Sequence, residues 1–319
     1  MRVIAVVNQK GGVGKTTTVV NLGAALARLD RRVVLVDLDP QANLTMHLGL
    51  EPAAGAPTTY ELINGERRLD EVLMDTTTPG LRAVPSHIDL SGAELELASK
   101  IGRESLLRDA LELWTREQPD DADYVLFDCP PSLGLLSVNG LVAAGEVFIA
   151  LQTEFFALQG MSKLVEIVQL LKRRLNPGLL ITGIVPCLYD SRLRLAREVL
   201  GEIRKYFPGQ VFRRGIGTNV KLAEAPSYGK TIFQYAPDSN GARDHALLAE
   251  AVIAQETGAA GGRDQQESEE LAGTELTPTP RGGPGGHQAD GAEAKTVPRA
   301  NEFPELPPEA FRQAAESGP

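Results

Sequence analysis

Apolar residues in this chain gather in short unbroken runs rather than alternating with polar ones. The runs fall at residues 2–7, 33–38, 124–128, 147–151 and 180–185. A run without polar alternation suits a strand covered on both faces. Between most of them lie stretches with apolar residues at helical spacing, the first from Lys15 to about Leu29. This alternation predicts an α/β fold, a mostly parallel twisted sheet flanked by helices, with ligands at the carboxyl ends of the strands. The pattern stops near Gln255. From residue 258 the chain is rich in Gly, Pro, Glu and Ala, has only Phe303 and Phe311 as aromatics, and is expected to be disordered. Two units follow: a folded domain over 1–257 and a tail over 258–319. Within the tail, residues 304–316 combine a proline helix start with Phe311 and several alanines, so this stretch is a candidate to fold on a partner. A plain solubilising extension is the simpler reading.

Charge narrows the partners. The chain carries 32 basic and 42 acidic residues, a net charge of −10. The tail holds 11 of the acidic and 5 of the basic residues, so the acidity is mostly a tail property. Nothing in the overall charge attracts nucleic acid or an anionic membrane, and any DNA contact requires a local basic patch. Cys129 and Cys187 have no metal or disulfide spacing. No apolar stretch approaches the ~18 residues of a membrane span, and the chain opens on a strand. A soluble, cytoplasmic protein is the expectation.

The chemistry is concentrated at residues 8–18, Asn-Gln-Lys-Gly-Gly-Val-Gly-Lys-Thr-Thr-Thr, placed between an expected strand and an expected helix. That context makes a phosphate-binding loop. Gly11, Gly12 and Gly14 allow backbone N–H groups to turn onto phosphate oxygens, and the helix opening at Lys15 adds the positive end of its dipole. Lys15 is placed to reach the β- and γ-phosphates, while Val13, Thr16 and Thr17 complete the cradle. The Thr16 hydroxyl is expected on Mg²⁺, and Asp128, ending an apolar run, on the same ion through water. ATP is the expected nucleotide. The common loop has glycine where this chain has Gln9, and a lysine follows at Lys10. Sitting at the mouth of the loop, Lys10 need not point into its own pocket, and a second subunit could receive it.

Lys10-Gly-Gly-Val-Gly-Lys-Thr-Thr17 resembles the deviant Walker A signature of the ParA/MinD family. Asp37-Leu-Asp-Pro-Gln-Ala-Asn43 resembles that family's switch I, and Phe127-Asp-Cys-Pro-Pro-Ser132 its Walker B and switch II. Phe155-Phe-Ala-Leu-Gln-Gly160, Tyr189-Asp-Ser-Arg192 and Lys221-Leu-Ala-Glu-Ala-Pro-Ser-Tyr-Gly-Lys230 look like segments of ParA and Soj partition ATPases. The resemblance covers about residues 1–257. It implies a homodimer with ATP sandwiched between subunits, in which Lys10 of one chain contacts the phosphates of the other. It also implies slow hydrolysis stimulated by a ParB-type centromere-binding partner, and a cytoplasmic, nucleoid-associated protein that binds DNA without sequence preference. Asp39 matches the switch I carboxylate that positions the attacking water, with Asp37 a weaker candidate for that role, and Asp39 is expected beside Thr16 and Asp128 among the residues that hold the metal. Asn219 is a possible adenine contact, although Thr218 stands where the family often has arginine. Cys187 reads as a small buried residue.

A helix expected over about 191–206 supplies a basic patch. Leu193, Ala196, Leu200 and Ile203 share one face, with Arg194, Arg197 and Lys205 opposite. Arg192 and Lys221 extend it toward a DNA-binding surface, joined by Arg213, Arg214 and Lys230. A MinD-like membrane switch is the main alternative, but it needs a basic amphipathic helix at the end of the domain, and residues 238–256 are not basic. An iron protein needs cysteines placed to bridge two subunits, and a non-enzymatic scaffold conflicts with the full set Lys15, Thr16, Asp39 and Asp128.

Overall fold

The long apolar runs become the middle of one sheet. The computed structural model describes residues 1–154 and 157–256. Phe155 and Phe156 of the helix-entry motif, and the tail with its 304–316 stretch, lie outside the described residues. The strands are β1 (Arg2–Val7), β2 (Val33–Asp37), β3 (Met74–Asp75), β4 (Leu81–Val84), β5 (Tyr124–Asp128), β6 (Glu146–Gln152), β7 (Leu180–Tyr189) and β8 (Ile216–Gly217). Their order is β3-β4-β2-β5-β1-β6-β7-β8. Every neighbouring pair is parallel except β3 with β4.

Both faces of the sheet are covered, which is why the central strands show no polar alternation. In β1, Ile4 and Val6 join a core with Val19, Leu22 and Leu26 of the helix Lys15–Ala27 and with Leu248 and Val252 of the helix Asn240–Glu256. Ala5 and Val7 enter the opposite core with Phe127, Leu141, Trp114 and Val168. Because the apolar face of Asn240–Glu256 lies against Lys15–Ala27, it is not free to lie on lipid. No helix among the described residues is long and apolar enough to cross a membrane.

The register positions the site. Val6 of β1 and Asp37 of β2 both pair with Asp128 of β5, so three strand ends finish level, beneath the loop that leaves β1. One expectation changes in detail. Leu193 does not share the buried face of the basic helix; it is the exposed residue preceding Arg194–Tyr206, and Val199 completes the buried stripe with Ala196, Leu200 and Ile203. Its extended backbone (φ −75°, ψ 122°) turns it away from the helical face.

Candidate nucleotide site

Residues 8–14 leave β1 and turn back into the helix Lys15–Ala27. Gly14 takes up the position before the helix with φ +94°. A Cβ there would meet Cys187 at 3.6 Å, an ordinary contact, so it is the left-handed backbone rather than space that calls for glycine. The loop borders a cleft of about 320 Å³ lined by Gly11, Gly12, Gly14, Lys15, Thr16 and Thr17. Asp39, Gln41, Asn43 and His47 close one side, and Pro131 and Pro226 the rest.

Lys15 is 7% exposed, and its Nζ donates to the Lys10 carbonyl at 3.3 Å. Burial lowers its pKa, while Asp128 and Asp39 pull it back up. The ammonium is therefore held ready for a stronger anionic partner than one carbonyl. Asp128 lies beneath, 1% exposed, and among the described residues no hydrogen bond reaches either of its carboxylate oxygens. Burial, reinforced by the charge of Asp37, pushes its pKa up, and nearby Thr16 and Lys15 only partly offset this. A buried carboxylate without a partner is destabilising in the empty protein. It is also the donor that a divalent cation takes.

The two aspartates of the β2 loop divide the work. Asp37 is fully buried. Its Oδ2 accepts from Thr45 N at 3.0 Å and Thr45 Oγ1 at 2.7 Å, and its Oδ1 from Asp39 N at 3.1 Å. It is a strut, with burial again raising its pKa. Asp39 reaches the cleft, 8% exposed, and accepts from Gln41 N at 3.0 Å through Oδ1.

The AAA domain family matches residues 1–181. The sporulation initiation inhibitor protein Soj of Bacillus subtilis is 44% identical over 79% of this chain and 98% of its own length. The chromosome partitioning protein ParA of Myxococcus xanthus is 44% identical over 80% of this chain and 89% of its own. The chain belongs to the ParA/Soj family of chromosome-partitioning ATPases. Among solved structures, the cobyrinic acid a,c-diamide synthase of Mycobacterium smegmatis, with bound ATP analogue and magnesium, superimposes with a TM-score of 0.69 at 37% identity, covering 81% of this chain and 96% of that one.

Against this ParA/Soj background, Lys10 stands apart from the rest of its loop. It does not line the cleft; its Nζ donates to Glu154 Oε2 at 2.5 Å and to Gln152 Oε1 at 3.1 Å, on the outer side beyond β6. Val13 keeps its side chain in the core, so only its backbone is available to a ligand. Asn219 lies outside the cleft lining, where it caps the helix Val220–Glu224 by accepting from Lys221 N at 2.8 Å. Cys187 is buried behind the loop, 3.5 Å from Thr18 Oγ1, and burial pushes its thiol up to about 11.

Five cations of the expected DNA surface carry local partners. Arg192 is paired with Asp190, Arg194 with Glu198, Lys205 with Glu202 and Lys221 with Glu224, while Arg197 donates to the carbonyls of Ser191 and Arg192. These are exposed pairs of small energy that a phosphate backbone can displace. Sequence reasoning placed Gln41, Asn43 and Pro131 within the switch segments without giving them a role at the cleft, and it did not single out His47. His47 is the least expected of them. It is buried, its Nε2 has no hydrogen-bond partner among the described residues, and burial with the nearby His245 lowers its pKa to about 4.

Proposed function

We propose that this partition ATPase is an ATP-dependent dimerising switch: two chains sandwich ATP, the dimer holds DNA without sequence preference, and hydrolysis releases it. The observation that carries the reading is the split between the two lysines. Lys15 is buried at the cleft, whereas Lys10, on the same loop, is directed outside it. A lysine in that position serves a phosphate belonging to another chain.

Within one subunit, the loop N–H groups and Lys15 neutralise the β- and γ-phosphates. The residues present fit Mg²⁺, because Asp128 is buried with both oxygens unpartnered and Thr16 lies beside it. Thr16 and Asp128 would hold the ion, which when bound draws charge from the phosphate oxygens. Asp39 orients the attacking water: Gln41 N–H occupies one of its oxygens and leaves the other for that role. Lys10 of the second chain then adds positive charge where negative charge develops, in an interface poorer in water than bulk. Hydrolysis by a lone chain is slow because that cation is missing from its cleft. A ParB-type partner accelerates the step in the assembled dimer.

DNA contact by Arg192, Arg194, Arg197, Lys205 and Lys221 is weak in one chain, since each cation has a partner of its own. Doubling the patch raises avidity without new contacts. The test is co-sedimentation of the full chain with DNA, and separately with anionic liposomes, in ATP, ADP or no nucleotide. DNA pelleting that requires ATP, with no liposome pelleting, is expected. ATP-dependent liposome pelleting without DNA binding would replace this reading with a MinD-like membrane switch.

A further inference from the structure

Two glycines meet behind one wall of the nucleotide cleft. Gly49 lies just past the short helix Asn43–His47, and Gly229 ends the turn Ala225–Tyr228. Both have left-handed backbone, at φ +65° and +60°. The two backbones touch: a Cβ on Gly229 would lie 2.8 Å from Gly49 Cα, and one on Gly49 would lie 3.1 Å from the Gly229 carbonyl oxygen. Here, unlike at Gly14, space as well as backbone conformation calls for glycine. Each partner brings a cleft residue with it, His47 on one side and Pro226 on the other. His47 adds a second tie through a hydrogen bond to the Lys230 backbone.

From this contact a continuous set of bonds runs to both sides of the cleft. On the Gly49 side, Leu50 N donates to the Thr45 carbonyl at 3.1 Å. Thr45 N and Oγ1 hold Asp37 Oδ2, and Asp37 Oδ1 accepts from Asp39 N at 3.1 Å. On the Gly229 side, Ile232 N donates to Asn21 Oδ1 at 2.7 Å, and Asn21 Nδ2 donates to the Thr17 carbonyl at 2.9 Å. Asn21 is fully buried on the helix that opens at Lys15. Residues 225–232 therefore strap the helix of the phosphate loop to the segment that bears Asp39, around the outside of the cleft.

We infer that Gly49 and Gly229 are positioning residues for hydrolysis: their contact sets the distance between the loop that grips the phosphates and the carboxylate that orients water. The inference rests on the role proposed above for Asp39. Attack requires the reacting groups in near-contact geometry, and a misplacement of about 1 Å can cost roughly 100-fold in rate. A Cβ on Gly229 forces the contact open by about 0.6 Å to reach ordinary packing at 3.4 Å, and the atom it meets is backbone, which cannot swing aside. The displacement falls on the Asp39 side. The helix Lys15–Ala27 is buried along most of its length, whereas Asn43–His47 is five residues long with Met46 exposed, so the shorter element yields. A shift there reaches Asp39 through Thr45 and Asp37 while the phosphate loop keeps its grip.

The test measures ATP turnover, Mg-ATP affinity and ATP-dependent dimerisation of the full-length chain. Gly229→Ala is expected to lower kcat by roughly tenfold or more, with the Kd for Mg-ATP within about twofold of wild type and the dimer retained. Gly49→Ala, whose Cβ meets its neighbour at the longer 3.1 Å, lowers kcat less, and it decides the matter if Gly229→Ala does not fold. Gly55→Ala is the control: it has φ +77° with nothing within 4 Å of an added Cβ, so it carries the same backbone strain without the contact and keeps wild-type kcat. Wild-type kcat in both Gly229→Ala and Gly49→Ala overturns the inference. So does a loss of kcat in Gly229→Ala that is matched by a loss of Mg-ATP affinity or of dimer, or an equal loss of kcat in Gly55→Ala. Asp39→Ala tells the two levels apart. If it is inactive while both glycine variants turn over normally, the strap fails and the role of Asp39 stands; if it hydrolyses ATP at the wild-type rate, both fail.

Discussion

Replacing Lys10 by alanine separates the two roles its position combines. In the free chain Lys10 pairs with Glu154 at 2.5 Å, but the two side chains are 55% and 52% exposed, so solvent screens the pair to about 0.2–1 kcal/mol. Releasing it weakens the competing monomer state by a factor of about 1.4 to 5. In the proposed ATP-bound dimer the same ammonium would face phosphate charge in a desolvated interface, where truncating one partner of a close charge pair costs about 2–5 kcal/mol. That corresponds to a loss in dimer affinity of roughly 30-fold to a few thousand-fold. Lys10→Ala should therefore bind a fluorescent ATP analogue nearly as well as wild type but sediment as a monomer at micromolar concentrations with ATP. Glu154→Gln should tighten ATP-dependent dimerisation by up to about fivefold, because it removes the competing partner and leaves Lys10 intact. In the double variant the Glu154→Gln gain should vanish, since it acts only through Lys10. If Lys10→Ala dimerises with wild-type affinity in ATP and hydrolyses normally, the cross-subunit role is wrong, although the nucleotide cleft stands.

Other outcomes follow from the same geometry. Asp128→Asn should raise the thermal stability of the nucleotide-free protein by about 1–3 kcal/mol, because it neutralises a buried, unpartnered carboxylate, while weakening Mg²⁺-dependent ATP binding; unfolding scans with and without Mg-ATP measure both. His47 and His245 each have a pKa lowered to about 4 from an ordinary 6.5, so below pH 6.5 the unfolded chain takes up protons that the folded one refuses. Stability is thus fully present above pH 6.5 and falls as pH drops toward 4, by roughly 2 kcal/mol per histidine at pH 5. Asp37, with its raised pKa, works in the opposite direction, so the measurement is the difference in denaturant stability between wild type and His47→Gln at pH 7 and pH 5, and equal pH slopes would refute it. Charge reversal at Arg192 or Arg197 should weaken ATP-dependent DNA binding and flatten its salt dependence without altering ATP binding; salt-sensitive binding unchanged in both variants would remove them from the DNA surface.

How much of this was legible depended on how local each signal was. β1, β2, β5, β6 and β7 stand out because strands buried on both faces must be apolar at successive positions, as in Val33–Asp37. β3 and β8, two residues each at the sheet edges, leave no such mark, because backbone pairing rather than side-chain burial defines them. The phosphate loop is contiguous, so its glycines, Lys15 and Thr16 could be read directly. Part of the far wall could not: His47 lies beyond the switch I motif, with no periodicity to flag it, whereas Pro131 sits within the quoted segment 127–132. The two aspartates of the β2 loop are equivalent by residue type. The family resemblance ranks Asp39 above Asp37, and the hydrogen bonds from Thr45 supply the physical difference: Asp37 is held by the structure while Asp39 reaches the cleft.

The pairing of Asp37 with Asp128 also bears on how the Asp39 segment is held. Two carboxylates in register on adjacent strands repel each other at burial, and the fold answers only one of them. Asp37 holds Thr45, whose hydroxyl in turn accepts from Ser86 N at 2.9 Å, while Thr59 Oγ1 donates to the Asp37 carbonyl at 2.8 Å. The segment bearing Asp39 is thereby tied to the ends of β2 and β4. Burial and the charge of Asp37 raise the pKa of Asp128, so the empty site relieves the conflict by keeping a proton on Asp128. Thr45→Val should accordingly leave Mg-ATP affinity near wild type while lowering hydrolysis, because it removes the hydroxyl that joins Asp37 to Ser86 and loosens the Asp39 segment, although the direct Asp39 N–H bond to Asp37 remains and the phosphate loop is untouched.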